Sequence, residues 1–363
     1  MQICKLCKKN EATKTNSHLI TWALIKDSVN QKGFKERGYD FVFSISSFNT
    51  SKVHIGRSVL PEKIEDIFGS STSNKDELQI ADPFSRDFIF CPSCEDGIGR
   101  VENEFMSRVY SKLEKVNGDQ LIFDKRGNKM FPTSYLEWKL TMLFAYSIFF
   151  RTSIASFNYQ SLDCDTEETI RDLLLSNLPE NRKELEIYIH KLRLSDFRYP
   201  LLVSYLQTYD SDENIIVQNH SVMPYFIWAN RLAFQLYKKE KHLNSSIEFF
   251  YGLSLLINPK EYFHCDISAV FNICIISDEK RKKLIQNALL EMDIVRKNYI
   301  TRNFTSACKK FIFRRPTLQE RDIFYNYYLQ FKEQDIHENW KISFVKAFNR
   351  TFNLKSTTDQ LSI

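Results

Sequence analysis

Three short stretches of this sequence decide its fold. They read Cys4-Lys5-Leu6-Cys7, Ser17-His18-Leu19-Ile20 and Cys91-Pro92-Ser93-Cys94-Glu95. The two-residue gap of a CxxC pair lets both thiolates reach one metal ion, at about 2.3 Å for zinc. Two such pairs can complete one tetrahedral site. We therefore expect a single structural Zn²⁺ bound by Cys4, Cys7, Cys91 and Cys94.

The remaining cysteines and the first residues favour a metal site over disulfides. Four cysteines lie outside any CxxC pair: Cys164, Cys265, Cys274 and Cys308. Residues 1–15 are charged and lack the apolar core of a secretory signal, so we expect a reducing, cytoplasmic location. A compact zinc ribbon separates its pairs by roughly 15–20 residues. The much longer gap here leaves two half-sites, or coincidence, as alternatives.

Composition excludes several classes of protein. Glycine is scarce, with 9 in 363 residues, and no glycine-rich phosphate-binding motif is present, which argues against Rossmann and Walker folds. The net charge of +5 permits nucleic-acid binding without indicating it. The most apolar stretch, residues 140–150, is far shorter than the roughly 20 residues that cross a bilayer, so it predicts a buried aromatic helix and no membrane association.

The chain length favours more than one domain. We expect a module in residues 1–115, interrupted by an insertion at 21–84. A helical segment follows in residues 116–210, with helices at 135–150, 166–178 and 182–194. A mixed α+β domain then occupies residues 211–363. Its predicted elements are strands at 214–217, 225–228, 232–237 and 246–257 and helices at 278–296 and 317–333.

The predicted helix after Cys94 carries two acidic residues on its apolar face. At 100° per residue one stripe collects Ile98, Val101, Phe105, Val109 and Leu113. Glu95 and Glu102 fall inside that stripe, whereas Arg100 and Glu104 point away. A carboxylate on a buried face must be paired or bind a metal ion. The alternative for both is a glutamate held by a nearby arginine or backbone amide.

The motifs CKLC, SHLI and FCPSCE resemble the HNH endonuclease superfamily, in a divergent bacterial branch with S-H-I-I-P-like and L-C-x-x-C-E signatures. The resemblance covers about residues 1–20 and 85–110. It implies an α+β fold class, in which a zinc-bound treble-clef (ββα-metal) module precedes the helical segment and the mixed C-terminal domain.

The resemblance also implies roles for individual residues. Cys4, Cys7, Cys91 and Cys94 would bind structural zinc, and His18 would be the general base. Glu95 stands where the usual pattern has a metal-binding histidine. Glu95, with Glu102 further along the helix, would hold a catalytic Mg²⁺ or Mn²⁺. The expected substrate is nucleic acid, with DNA favoured over RNA, in antiviral defence or a mobile element. A protein partner would bind the C-terminal domain.

This chain also departs from the usual HNH pattern. Ser17 replaces the usual Asp or His before the base and is a poor ligand for a divalent ion. The central asparagine has no clear counterpart, although Asp87 and Asn103 lie nearby. Either Glu95 and Glu102 rebuild the ion site, or the module is a non-catalytic zinc fold that acts as a sensor or adaptor.

Two basic clusters remain. Residues 280–283 form one, and Lys309, Lys310, Arg314 and Arg315, interleaved with Phe311 and Phe313, form the other. Such clusters are usually solvated surface, although interleaved aromatics also occur in nucleic-acid interfaces.

Overall fold

The computed structural model describes residues 2–24, 41–45, 51–55, 84–123, 127–155, 161–207, 216–219, 224–238, 271–334 and 340–354. The chain divides into two compact units. The first contains residues 1–41 and 55–285, and the second contains residues 42–54 and 286–363. The predicted strand at 246–257 lies outside the described residues.

Two short antiparallel pairs of strands come first in the chain. Strand β1 (Ser17–His18) pairs with β4 (Ser85–Arg86), and β2 (Phe41–Ile45) pairs with β3 (Ser51–Ile55). In the first pair, His18 lies opposite Ser85 and Ser17 lies opposite Arg86. The pairing of β1 with β4 brings the SHLI motif beside the second CxxC pair.

A continuous helical stretch begins inside the second CxxC pair, with Cys91 at its N-cap. It consists of α1 (Pro92–Phe105), a π-helical turn (Met106–Tyr110) and α2 (Ser111–Glu114). Proline in the first turn suits this start, because the first N–H groups of a helix have no intrahelical partner. The predicted apolar stripe is confirmed, since these five residues are all buried: Ile98, Val101, Phe105, Val109 and Leu113.

The prediction for Glu104 is wrong. Its side chain is buried rather than directed to solvent, and its Oε1 accepts from Arg182 Nε at 2.8 Å. Arg182 begins helix α5, which packs against α1, so a second element covers the face that an isolated helix would expose. Arg108 Nη1 lies 3.9 Å from the same carboxylate.

A seven-stranded sheet forms the centre of the first unit. Its order is β5-β6-β11-β7-β10-β9-β8. The strands are β5 (Ile122–Phe123), β6 (Lys129–Thr133), β7 (Leu201–Leu206), β8 (Ile216–Asn219), β9 (Tyr225–Ala229), β10 (Leu232–Leu236) and β11 (Phe271–Ile276). Only β11 with β7 is parallel among the pairings of these described strands.

This sheet differs from the expected separation of a helical segment at 116–210 from an α+β domain at 211–363. Strands β5 to β7 come from the first range and β8 to β11 from the second. Hydrogen bonds between β7 and β10 join the two ranges in one sheet. The predicted strands at 225–228 and 232–237 are confirmed within a residue, and Asn230, with φ of 52°, makes the turn between them.

Helix α3 (Tyr135–Ile154) is buried on all sides from Trp138 to Ser153, as the apolar stretch in its sequence predicts. Ser134 caps its first turn, where Ser134 and Glu137 exchange hydrogen bonds in a capping box. Helices α4 (Cys164–Ser176) and α5 (Arg182–Lys191) pack against α3. None of the described helices combines the length and apolarity that crossing a lipid bilayer requires.

The second unit contains the C-terminal helices from residue 286 onward, a boundary that falls within the first of them. Helix α6 (Asp278–Ala307) is longer than predicted and continues into a π-helical turn (Cys308–Ile312), before α7 (Leu318–Gln334) and α8 (Trp340–Thr351). The unit is held together by stacked aromatic rings. Phe304 lies 4.0 Å from Phe324, centroid to centroid, and Phe344 and Phe348 pack around them.

Candidate metal centre and adjoining acidic site

The four cysteines of the two CxxC pairs meet at one point. The sulfur atoms of Cys4, Cys7, Cys91 and Cys94 all lie within 4.8 Å of one another. Cys7 Sγ and Cys91 Sγ are 3.9 Å apart. A tetrahedral zinc site with bonds of about 2.3 Å separates its sulfur atoms by about 3.8 Å. The cluster therefore fits one structural zinc ion, and the two half-sites considered from the sequence are not observed.

Backbone hydrogen bonds hold the two CxxC loops together. Lys5 N donates to Ile89 O at 2.9 Å, and Lys14 N donates to Phe90 O at 3.1 Å. Within the first loop, Lys8 N donates to Cys4 O at 2.9 Å, and Lys8 adopts a left-handed φ of 54°. The residues around each cysteine pair thus bring the thiols together across the long gap in sequence.

The four thiols are too close together for all of them to be deprotonated unless a cation balances their charge. A hydrogen bond with Cys94 lowers the pKa of Cys4 to about 4, and the same bond, together with burial, raises the pKa of Cys94. Asn10 N lies 3.5 Å from Cys7 Sγ, and Asn10 Nδ2 lies 3.8 Å from Cys91 Sγ. N–H groups directed at sulfur suit thiolates, and a divalent cation would allow all four to be deprotonated.

His18 lies on β1, on the N-terminal side of helix α1. Its ring stacks on Trp22, with 5.7 Å between the centroids. Its backbone carbonyl accepts a hydrogen bond of 2.6 Å from Arg151 Nη1, on helix α3. The side chain is half-buried. His18 is therefore fixed by its strand, an aromatic neighbour and a buried arginine.

Glu102 is held by two partners. It forms an ion pair with Arg151, and its Oε1 accepts from Thr21 Oγ1 at 2.7 Å. The Arg151 side chain is 2% exposed and that of Glu102 is 15% exposed. The alternative raised from the sequence, a glutamate paired with an arginine, is what the structure shows for Glu102.

Glu95 stands apart from this pair. Its Oε2 is buried and has no hydrogen-bond partner among the residues that the structure describes. Burial raises the pKa of Glu95, and the charge of Glu102 adds to this, whereas Arg151 and the hydroxyl of Ser17 offset part of it. A carboxylate in this setting suits either a proton or a cation.

Arg151 joins two of the predicted residues, because it donates to the backbone carbonyl of His18 and pairs with Glu102, and its charge also acts on Glu95. The sequence analysis missed Arg151. The signal was present, because Arg151 directly follows the apolar stretch 140–150, and a charge inside a buried helix needs a partner.

Two residues considered for the missing asparagine of the HNH pattern serve elsewhere. Asp87 Oδ1 accepts from Asn16 N at 2.7 Å, where Asn16 adopts a φ of 59° before β1. Asn103 is exposed on α1. Ser17 is buried beside Glu95. Of the two predicted glutamates, Glu102 is paired with Arg151, so Glu95 is the one that could bind a metal ion.

Comparison with known protein families finds no match for this chain, and the searches of curated proteins and of solved structures find none either.

Proposed function

We propose that this protein is a metal-dependent HNH-like endonuclease that hydrolyses phosphodiester bonds in nucleic acid, with DNA favoured over RNA. The observation that carries the proposal is the buried carboxylate of Glu95 on α1, beside the strand β1 that carries Ser17 and His18, in a segment that the four-cysteine cluster holds together. A strand pair followed by a helix, with a histidine on the strand and a carboxylate on the helix, is the arrangement that the resemblance implies.

The cysteine cluster has a structural role in this proposal. Zinc bound by four thiolates leaves no open position for water, so it does not catalyse. It ties the first CxxC loop, which precedes β1, to the second loop, which begins α1. The ligands thereby hold the segment before β1 against the start of α1.

His18 is assigned as the general base. A neutral imidazole accepts a proton from the attacking water, and imidazole titrates near neutral pH. Arg151 positions the backbone of His18 by its hydrogen bond to the carbonyl oxygen. The ring of Trp22 restricts the rotation of the imidazole by stacking on it.

Glu95 is assigned as the ligand of a catalytic Mg²⁺ or Mn²⁺, because both ions prefer oxygen ligands. When bound, such an ion would stabilise the charge that develops on the phosphate and the leaving oxygen. Glu102 is assigned a positioning role, since Arg151 and Thr21 already occupy its carboxylate. Roles in bacterial antiviral defence or in a mobile element, a protein partner of the C-terminal part, and a cytoplasmic location belong to the same proposal.

A second function is favoured by the surroundings of Glu95. Ser17 is buried where a metal ligand is usual, and Glu102 is neutralised by Arg151, so a single carboxylate remains to hold a divalent ion. A non-catalytic zinc module that acts as a sensor or adaptor, by binding nucleic acid or protein, would need no second carboxylate ligand for a catalytic ion.

The test is cleavage by the full-length protein. Plasmid DNA, single-stranded DNA and RNA are each incubated with Mg²⁺ or Mn²⁺, and His18→Ala and Glu95→Gln are compared with wild type. We expect both variants to lose cleavage while retaining zinc. His190→Ala is the matched control, because the His190 side chain is exposed on α5 and Lys139 binds its backbone carbonyl, which the substitution keeps.

The outcome separates the two functions. Cleavage by His18→Ala at the wild-type rate would show that the HNH mechanism is wrong. Failure of the wild-type protein to cut any substrate with either ion would favour the non-catalytic module.

A further inference from the structure

The second unit carries an exposed basic segment that neither the zinc cluster nor the acidic site explains. Residues 294–321 contain eight lysines and arginines and one carboxylate, Glu320. The cations most closely spaced along the chain lie at residues 309–315, which we call the basic aromatic turn. It comprises the last four residues of the π-helical turn after α6 and the residues that lead toward α7.

Phe313 projects from the basic aromatic turn into solvent. Its side chain is 88% exposed, although a phenylalanine ring is usually buried. Its backbone is left-handed, with φ of 60°, a region that favours glycine and asparagine. Two unfavourable features therefore coincide at one residue, and the ring makes no aromatic contact with the part of the chain that the structure describes.

The turn that presents Phe313 is held firmly on both sides. Thr317 and Glu320 form a capping box at the start of α7, with bonds of 2.7 and 3.2 Å. Arg314 bonds to Glu320 through both guanidinium nitrogens. On the other side, Phe311 packs against Phe348 at 6.3 Å. The exposed ring is thus held in position by the structure around it.

The ion pair between Arg314 and Glu320 leaves the other basic side chains of the turn to interact with a ligand. Arg314 is occupied by Glu320, whereas Lys309, Lys310 and Arg315 are exposed. Lys310 Nζ lies 5.0 Å from the centre of the Phe311 ring, a contact that leaves its charge facing solvent. An exposed ring with three exposed cations within four residues of it in sequence suits a ligand that has a flat apolar face and negative charges.

We propose that the basic aromatic turn binds single-stranded nucleic acid, with a base stacked on Phe313 and phosphates near Lys309, Lys310 and Arg315. Unpaired bases offer faces for stacking, and their backbone supplies the charges. A duplex buries its base faces, so it engages the cations alone. This inference requires nucleic acid as a partner but no cleavage, so it stands whether or not His18 and Glu95 are catalytic.

The test is binding of a fluorescein-labelled 20-nucleotide oligo(dT) to the full-length protein, measured by anisotropy without Mg²⁺ or Mn²⁺. Phe313→Asn should weaken binding about tenfold, within the range for loss of one stacked base. Asparagine tolerates the left-handed backbone, so the variant should be at least as stable as wild type in urea. A loss of affinity therefore cannot come from a loss of folding.

The charges are tested with a matched pair of variants. Lys309→Ser/Lys310→Ser should reduce the dependence of log affinity on log salt by about 1.4, at about 0.7 per contact with a single strand. Lys341→Ser/Lys346→Ser removes the same charge from exposed positions on α8 and should change the slope by less than half as much.

Three results would overturn the inference. The first is oligo(dT) binding that Phe313→Asn leaves unchanged. The second is equal binding of a 20-base-pair duplex and of the single strand, because stacking on Phe313 requires unpaired bases. The third is binding to vesicles of phosphatidylserine and phosphatidylcholine that depends on Phe313, with no binding of oligo(dT), which would assign the turn to a membrane surface.

Discussion

The buried guanidinium of Arg151 donates a hydrogen bond of 2.6 Å to the backbone carbonyl of His18. Since Arg151 also forms the ion pair with Glu102, helix α3 is joined both to β1 and to α1. The candidate site is therefore supported both by the cysteine cluster and by an arginine of α3.

Removal of Arg151 should destabilise the first unit. In Arg151→Met, Glu102 is left in a largely buried position without its cation, and we expect a loss of about 2–4 kcal/mol in the free energy of unfolding. Arg151→Met/Glu102→Gln should lose less than the single variant, because glutamine still accepts from Thr21. Urea denaturation of both variants measures the difference. Equal losses would show that the ion pair contributes little.

Zinc should be present at about one ion per chain. Cys91→Ser removes one of four ligands, so it should release the metal and lower the melting temperature, because the binding free energy of a structural site contributes to folding. Cys164→Ser is the control, since Cys164 is exposed and outside the cluster. Elemental analysis and calorimetry check both. A wild-type protein that folds normally without zinc would contradict the expectation.

Two glycines of α1 should respond in opposite directions to alanine. A Cβ at Gly97 would lie 3.1 Å from Leu178 Cδ2 and 3.2 Å from Leu178 Cβ, whereas a Cβ at Gly99 meets nothing within 4 Å. Gly99→Ala should stabilise by about 0.5–1 kcal/mol through helix propensity. Gly97→Ala should have a free energy of unfolding about 1 kcal/mol or more lower than that of Gly99→Ala, because Leu178 must move. Thermal and urea unfolding compare the pair directly.

Asp163 should make stability depend on pH in the acidic range. Burial raises the pKa of Asp163, but hydrogen bonds from Lys238, Tyr225 and Thr166 outweigh it and hold the pKa well below its usual value. A lowered pKa stabilises the folded protein above the unfolded value, near 3.9, and this stabilisation is lost as pH falls toward the folded value.

The comparison is with Asp163→Asn. The difference in unfolding free energy should be about 1 kcal/mol above pH 5, allowing for solvent screening at this partly exposed carboxyl, and should shrink below pH 4. Asp119→Asn, at an exposed position, should show no such trend. A difference that is constant from pH 3 to 6 would contradict the assignment.

The metal cluster and the apolar stripe of α1 could be predicted from the sequence. The cluster is recognised by the spacing within each CxxC pair, and the stripe by the helical period. CxxC geometry led to the four thiols, and the period of α1 led to Ile98 and Phe105. The capping box at Ser134 and Glu137 is equally local.

The remaining features depend on contacts distant in sequence. Nothing near Glu104 in the sequence shows that α5 covers it, and nothing near Glu102 shows that Arg151 reaches it from 49 residues away. The helical segment expected at 116–210 also contains three strands, β5 to β7, and β7 pairs with β10 of the following range. Long-range pairing of this kind is fixed by the whole fold.

The spacing of the four thiols gives the metal a further effect on the integrity of the chain. Two of its ligands precede residue 8 and two follow residue 90, and the backbone bonds Lys5–Ile89 and Lys14–Phe90 join the same two segments. If a protease cuts one peptide bond between them, both fragments stay attached to the same ion. A chelator would then release the first segment, so a nick that is silent in the zinc-loaded protein becomes a dissociation in the metal-free one.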